Sequence, residues 1–224
     1  MTLPALVQNY KKKVLHTQFL KVYSDLNNAS KRFEIDNGIS VYEYSLGGYA
    51  NSTDTLKKFM SSFVGTIHGQ YAGTDYNDEI DGNLSYEEAL GFVPKNLAGK
   101  IQKAHPCDQS IVTEEVGGRY FLMDDTLSVY SPPPQVGPKI CVDINGKKGP
   151  NIYGYDWFAF VFTKEGAIKP YIGSDISNIG EDMTNPEDKC NYTYPKATYT
   201  CAHFALQDVS PLDPSKKYWD DFLK

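Results

Sequence analysis

Cys141-Val142-Asp143-Ile144-Asn145-Gly146-Lys147-Lys148-Gly149-Pro150-Asn151-Ile152-Tyr153-Gly154-Tyr155-Asp156-Trp157-Phe158-Ala159-Phe160 is the stretch that decides the fold. Strand residues give way to a Gly/Asn/Pro turn and resume as a second strand near Asp156, the pattern of two paired strands around a structured loop. The loop carries Asp143, Asn145, Asn151 and Asp156 at close, irregular spacing, with glycines that let the backbone fold inward. Carboxylate and amide oxygens in such an arrangement suit a hard cation such as calcium, with backbone carbonyls completing the shell. The same residues can instead hydrogen-bond their own turn, as Asn and Asp commonly do.

Working outward, the adjoining segments also read as strands. Arg119 to Met123 and Thr126 to Tyr130 form an expected hairpin around Asp124-Asp125, followed by a stiff Ser131-Pro132-Pro133-Pro134 linker. Ile140 to Ile144, Trp157 to Thr163 and Ala167 to Ile172 complete the sheet, about four strands in all. At the other end of the chain, Leu3, Leu6, Val7, Tyr10, Val14, Phe19, Val22, Tyr23, Leu26, Ala29 and Phe33 recur at helical steps. They predict one helix from Leu3 to about Asp36, a rod of roughly 50 Å stopped by Gly38. One side of its first turns is too apolar for a free end, so something is expected to cover it.

Between residues 38 and 106 lies a variable insertion. It should hold an amphipathic helix from Asp54 to Val64, with Leu56, Phe59, Met60 and Phe63 on one side and Asp54 as N-cap. Gly65 to Asp81 reads as loop, Tyr86 to Leu90 as a short helix and Lys95 to Lys103 as weakly helical. Within it, Asn77 to Glu88 offers a second cation candidate through Asn77, Glu79, Asp81 and Glu88, with Gly82 at the sixth position of an EF-hand-like loop. Asn77 stands where Asp is expected, and no helix precedes the loop. The plain alternative is an acidic turn capping a short helix. Residues 173–224 read as irregular, ending in a short aromatic helix from Tyr218 to Leu223.

Composition narrows the function. The chain has 224 residues, 41% of them hydrophobic, enough for one well-buried domain. A net charge of −6 excludes a general nucleic-acid binder, which needs a basic face. Cys107, Cys141, Cys190 and Cys201 form no CxxC pair, so zinc ribbons and thioredoxin-like sites are disfavoured. Three connectivities are open to them. Local closure favours Cys190–Cys201, which leaves Cys107–Cys141, and the two bonds would contribute roughly 3 and roughly 4 kcal/mol. Four buried thiols in a reducing compartment are the alternative. His16, His68, His105 and His203 form no metal-spaced pair, and no nucleophile elbow or phosphate-binding loop occurs. An enzyme is not expected.

Residues 1–37 and roughly 119–172, a little under half the chain, resemble the periplasmic body of a type IV pilin-like protein, a pilin or type II secretion pseudopilin. The resemblance rests on the long pattern DxNGxxGPNxxGxDxFxF, beginning at Asp143, and on Leu3-Pro4-Ala5-Leu6-Val7-Gln8-Asn9-Tyr10 followed by Lys11-Lys12-Lys13. The latter looks like the place where a pilin helix leaves the membrane, with Pro4 matching the family's helix-kinking proline. The resemblance implies an α+β fold: a long N-terminal helix on an antiparallel sheet, with the 38–106 insertion, the sheet in 107–172 and a disulfide-pinned region 173–224. It also implies a non-catalytic subunit whose partners are other pilin subunits in a filament and, before assembly, the inner membrane of a bacterial envelope. A cation in the loop would stiffen it and protect subunit packing. No leader or membrane span stands in the sequence itself, so Met1 is read as a start that replaces an apolar leader. Lys11-Lys12-Lys13 then either touch lipid phosphates or form a solvated helix face. A secreted or surface-anchored adhesin using Tyr192, Tyr194 and Tyr199, or the insertion, is the alternative from another class; a secreted hydrolase is the third.

Overall fold

The computed structural model describes residues 3–46, 52–63, 72–73, 91–101, 107, 111–114, 120–124, 138–172, 190–193 and 199–224. The architecture is α+β, a long N-terminal helix laid across an antiparallel sheet. Helix α1 spans Leu3–Asn37. Its buried apolar stripe runs through Leu15, Phe19, Val22, Leu26, Ala29 and Phe33, alternating steps of four and three that keep one seam facing the sheet. The helix stops because Gly38 takes a left-handed conformation (φ 74°), and its N–H closes on the Glu34 carbonyl at 2.8 Å. Pro4 occupies the first turn, where a missing N–H breaks no bond of the helix as described.

Helices α2 (Val41–Leu46) and α3 (Ser52–Met60) follow. The expected helix from Asp54 begins two residues earlier and ends at Met60, so Asp54 lies inside it rather than capping it. Phe59, Met60 and Phe63 are buried as the spacing predicts, and Phe59 meets Phe162 edge-on at 4.8 Å. Ser40 starts α2 with a reciprocal cap: its Oγ accepts the Glu43 N–H at 3.1 Å while its own N–H reaches Glu43 Oε2 at 3.2 Å.

The sheet is a simple meander of six strands in chain order: β1 (Ala72–Gly73), β2 (Ile111–Glu114), β3 (Tyr120–Asp124), β4 (Lys139–Asp143), β5 (Trp157–Phe162) and β6 (Ile168–Pro170). Every pair is antiparallel. The sheet therefore exceeds the four strands read from the sequence. One β-strand lies in a stretch read as loop, and β2 was not read at all. The expected Arg119–Tyr130 hairpin is also corrected. β3 pairs with β2 and β4, as Thr113↔Phe121 and Leu122↔Cys141 show, and residues 125–130 lie outside the described ones. Residues 91–101, read in part as weakly helical, run as turns with isolated bridges from Lys95 to Ile101 and Ile152.

β4 and β5 are the centre of the fold. Ile140, Val142, Phe158, Phe160, Phe162 and Ile168 belong with α1 to the larger apolar cluster, while Cys141, Trp157 and Ala159 face the opposite side with Tyr153 and Tyr199. Both faces of β5 are thus covered, which explains its unbroken apolar run. Phe19 is the keystone of the helix–sheet contact, lying 4.5 Å from Phe158, 6.0 Å from Phe160 and 5.6 Å from Trp219 between ring centroids. Burying Phe19, Val22, Leu26 and Phe33 contributes roughly 6–12 kcal/mol by transfer bookkeeping, far more than helix propensity could.

The C-terminal region departs most from its expected irregularity. Helix α4 spans Cys201–Gln207 and carries His203, and a π-helical turn covers Tyr218–Phe222, where a short aromatic helix is expected. Trp219 Nε1 donates to the Ala205 carbonyl at 3.0 Å, and its ring stacks on His16 at 5.1 Å. His16 is therefore part of a packed contact. Both disulfides join the pairs favoured from the sequence, Cys107–Cys141 and Cys190–Cys201. No helix among the described residues is long and apolar enough to cross a membrane.

Candidate functional site

β4 ends at Asp143 and β5 begins at Trp157, and their pairing (Asp143↔Trp157) folds the intervening residues into one compact loop. The chain turns through a 3-10 segment at Gly146–Lys148, a cis Gly149–Pro150 bond and Asn151 at φ 58°. Asn tolerates that left-handed conformation better than most residues with a side chain. From outside, residues 91–101 prop the loop: the Lys95 N–H donates to Asn151 O and the Tyr153 N–H to Lys95 O, both at 2.8 Å. This prop has no sequence signature, because a single bridging residue has no periodicity.

All four residues of the first candidate set meet in this loop. Asp143 and Asp156 are completely buried. Asp156 organises the turn. Its Oδ1 accepts the Ile152 N–H at 2.6 Å, and its Oδ2 accepts the Asn151 N–H at 2.9 Å and the Asn145 amide at 3.3 Å. Asn145 Nδ2 also reaches the Gly149 carbonyl at 3.1 Å, and the Asn145 N–H donates to Asp143 Oδ1 at 3.1 Å. These bonds place Asp156 as the frame of the loop rather than as a ligand equal to the others. The hydrogen bonds of Asp156 are those of the self-bonded turn expected from Asn and Asp.

What the turn leaves over is an acceptor set. Asp143 Oδ2, Asn145 Oδ1 and Asn151 Oδ1 are buried and receive no hydrogen bond. Buried polar atoms without partners cost about 1–3 kcal/mol each, more for a charged group, so three in one loop call for a shared explanation. An all-oxygen set containing a carboxylate is the chemistry of a hard cation, and these residues fit one. Asp143, Asn145 and Asn151 would hold it through those oxygens, with Asp156 fixing their positions. Among the described residues no group of three or more His, Cys, Asp or Glu side chains is placed for a metal. The donors here are carboxylates and amides, which is why only the loop geometry exposes them.

Electrostatics point the same way. Burial, and then the neighbouring Asp156 charge, push the Asp143 carboxyl up from 3.8 to about 8, against the backbone N–H groups of Asn145 and Gly146 and the Trp157 indole. Burial pushes Asp156 up to about 6, with the Ile152 and Asn151 N–H groups opposing it. Trp157 Nε1 makes no hydrogen bond of ordinary geometry, so it eases Asp143 only as a nearby dipole. Two buried carboxyls are thus difficult to ionise together without a positive charge between them.

Beside the loop is an open cleft of about 570 Å³ between its Lys148–Pro150 rim and the first half of α1. Tyr10, Lys11, Val14, Leu15 and Tyr155 line it. Of the three successive lysines, only Lys11 and Lys13 are exposed. Lys12 is buried, and its Nζ donates to the Leu223 carbonyl and, at 3.4 Å, to that of Asp220. The solvated-face reading of all three lysines is corrected to that extent. The second candidate set, Asn77, Glu79, Asp81 and Glu88, lies outside the described residues. His203 is half-buried, and burial lowers its pKa; its ring nitrogen lies 3.3 Å from Gln207 Nε2, with no acid or nucleophile described as its partner. No family model, curated protein or solved structure matches the chain.

Proposed function

We propose that the chain is a non-catalytic subunit of a bacterial pilin-like filament, a type IV pilus or a type II secretion pseudopilus, assembling through α1. The observation that carries this reading is the division of α1 into two unlike parts. From Leu15 to Phe33 one stripe is buried on the sheet, whereas the apolar residues of the first turns are largely exposed. Leu3 is 74% exposed, Leu6 56% and Tyr10 69%. A row of exposed apolar side chains on a helix marks an interaction surface. A rod fixed to its own domain along most of its length, with an exposed apolar row on its first turns, suits a repeated contact between copies that grows into a helical polymer. The oxygen-lined loop fits the same role as a structural calcium site, holding the end of the β4–β5 pair stiff beside the first turns of the rod.

Leu6→Asp and Tyr10→Asp test the reading. Both sites are exposed, so the fold should keep its stability within about 0.5 kcal/mol. In cells that express the native gene, incorporation into envelope filaments, read by cysteine cross-linking between neighbouring α1 helices, should be lost in both variants. Undiminished cross-linked multimers would remove the proposal.

A further inference from the structure

We infer that the cleft between α1 and the loop is a seat for the headgroup of an anionic membrane phospholipid, so that the unassembled subunit rests its lower end on an acidic lipid surface. The inference rests on the filament-subunit reading, in which the first turns of α1 stand at a bilayer. Its own evidence is local. The cleft is walled by Tyr10, Val14, Pro150 and Tyr155 and carries two cations, Lys11 from the helix and Lys148 from the 3-10 turn. Among the described residues no carboxylate lines it, on a chain whose net charge is −6. Neither lysine forms an ion pair among the described residues, while Lys21 is 3.3 Å from Asp25 and Lys217 is 3.9 Å from Asp208. The two ammonium groups have not been neutralised by the protein's own abundant acids.

The lysine triplet is also differentiated by its contacts. Lys12 is spent on the Leu223 and Asp220 carbonyls, and Lys11 is left at the cleft. Two cations on flexible apolar stems above an aromatic and proline floor match a phosphate diester whose acyl chains leave sideways. The exit for those chains is present. Tyr10 and Val14 in the cleft continue into the exposed Leu3, Leu6 and Val7 of the same helix. A soluble phosphate would use the lysines and leave that apolar path bare; a lipid uses both.

Co-sedimentation of the 224-residue chain with vesicles tests the seat. The chain should pellet with vesicles of phosphatidylcholine and phosphatidylglycerol, and not with phosphatidylcholine alone. Retention should fall with added salt. The double change Lys11→Gln, Lys148→Gln should weaken binding about 25-fold, about 5-fold per lysine, with an unchanged melting temperature. The control pair Lys31→Gln, Lys164→Gln, exposed but remote from the cleft, should weaken it less than about 2-fold. Equal retention on both vesicle types, or equal loss in the control pair, overturns the seat. So does lysine-dependent binding of free glycerol phosphate as strong as that of vesicles, or a lipid-free dimer dissociated by Tyr155→Glu. A negative vesicle result with normal incorporation into filaments removes the seat alone, whereas failed incorporation of the wild type removes the reading beneath it.

Discussion

In chelator the protein's stability should depend steeply on pH, because of Asp143. Asp143 titrates near the ordinary 3.8 when the chain is unfolded and at about 8 in the metal-free fold, because burial and Asp156 oppose its charge. A carboxyl raised in this way favours the folded state most at acid pH, below the unfolded value. The advantage is lost as pH rises through the interval up to the folded value. One pKa unit is worth about 1.4 kcal/mol, so between about pH 5 and about pH 8 Asp143 alone costs the fold about 4 kcal/mol. Asp156, raised to about 6, adds its share in the lower part of that interval. For a chain of this size, about 4 kcal/mol corresponds to a fall in Tm of roughly 8–16 °C. The assay is thermal unfolding by circular dichroism in chelator across that pH range, repeated with calcium. Calcium held at the loop would engage the ionised carboxylate, so it should abolish most of the fall, and at about 100 times its Kd it should stabilise by about 2.7 kcal/mol. Asp143→Asn should flatten the pH dependence in chelator and erase the calcium response together. A Tm in chelator that does not change with pH, or a calcium response that survives Asp143→Asn, would refute the reasoning from buried charge.

Two packing predictions follow from the same structure. Gly154→Ala should cost several kcal/mol in a urea titration. Gly154 has φ 86°, and an added Cβ would stand 2.6 Å from Cys201 Sγ and 3.3 Å from Tyr218 Oη, so a loss under about 1 kcal/mol would contradict the described contact. Phe19→Ala should cost about 3–5 kcal/mol by opening a cavity between α1, β5 and Trp219, and a near-neutral result would mean that the helix does not lie on the sheet as described.

The parts legible in the sequence are those with strong local period or local closure. The seam from Leu15 to Phe33 repeats over five steps and could be read as helix without knowing its partner. β4 and β5 were readable because a glycine- and proline-rich turn separates two apolar runs, and the Cys190–Cys201 bond because eleven residues separate its ends. Helix α4 was not readable. Cys-Ala-His-Phe-Ala-Leu-Gln is only seven residues long and is held by burial of Cys201, Ala202 and Ala205 and by the Trp219 indole, all tertiary terms. The partners of β3 were missed because its nearest apolar neighbour in sequence, 126–130, competed with more distant strands that carry the same residue types. At the site, the composition of the oxygen set was plain in the sequence. Which lone pairs are spent on the turn and which are left over depends on backbone N–H directions at Asn151 and Ile152, and no residue type encodes those.

Lys12 joins the lower half of the rod directly to carbonyls more than two hundred residues further along the chain. Around that link, His16 and Phe19 grip Trp219, itself tied to α4 and so to the Cys190–Cys201 bond. Tension drawn along α1 therefore passes sideways into the chain's tail and the rings beneath it, in shear. The tail is the buckle of the strap.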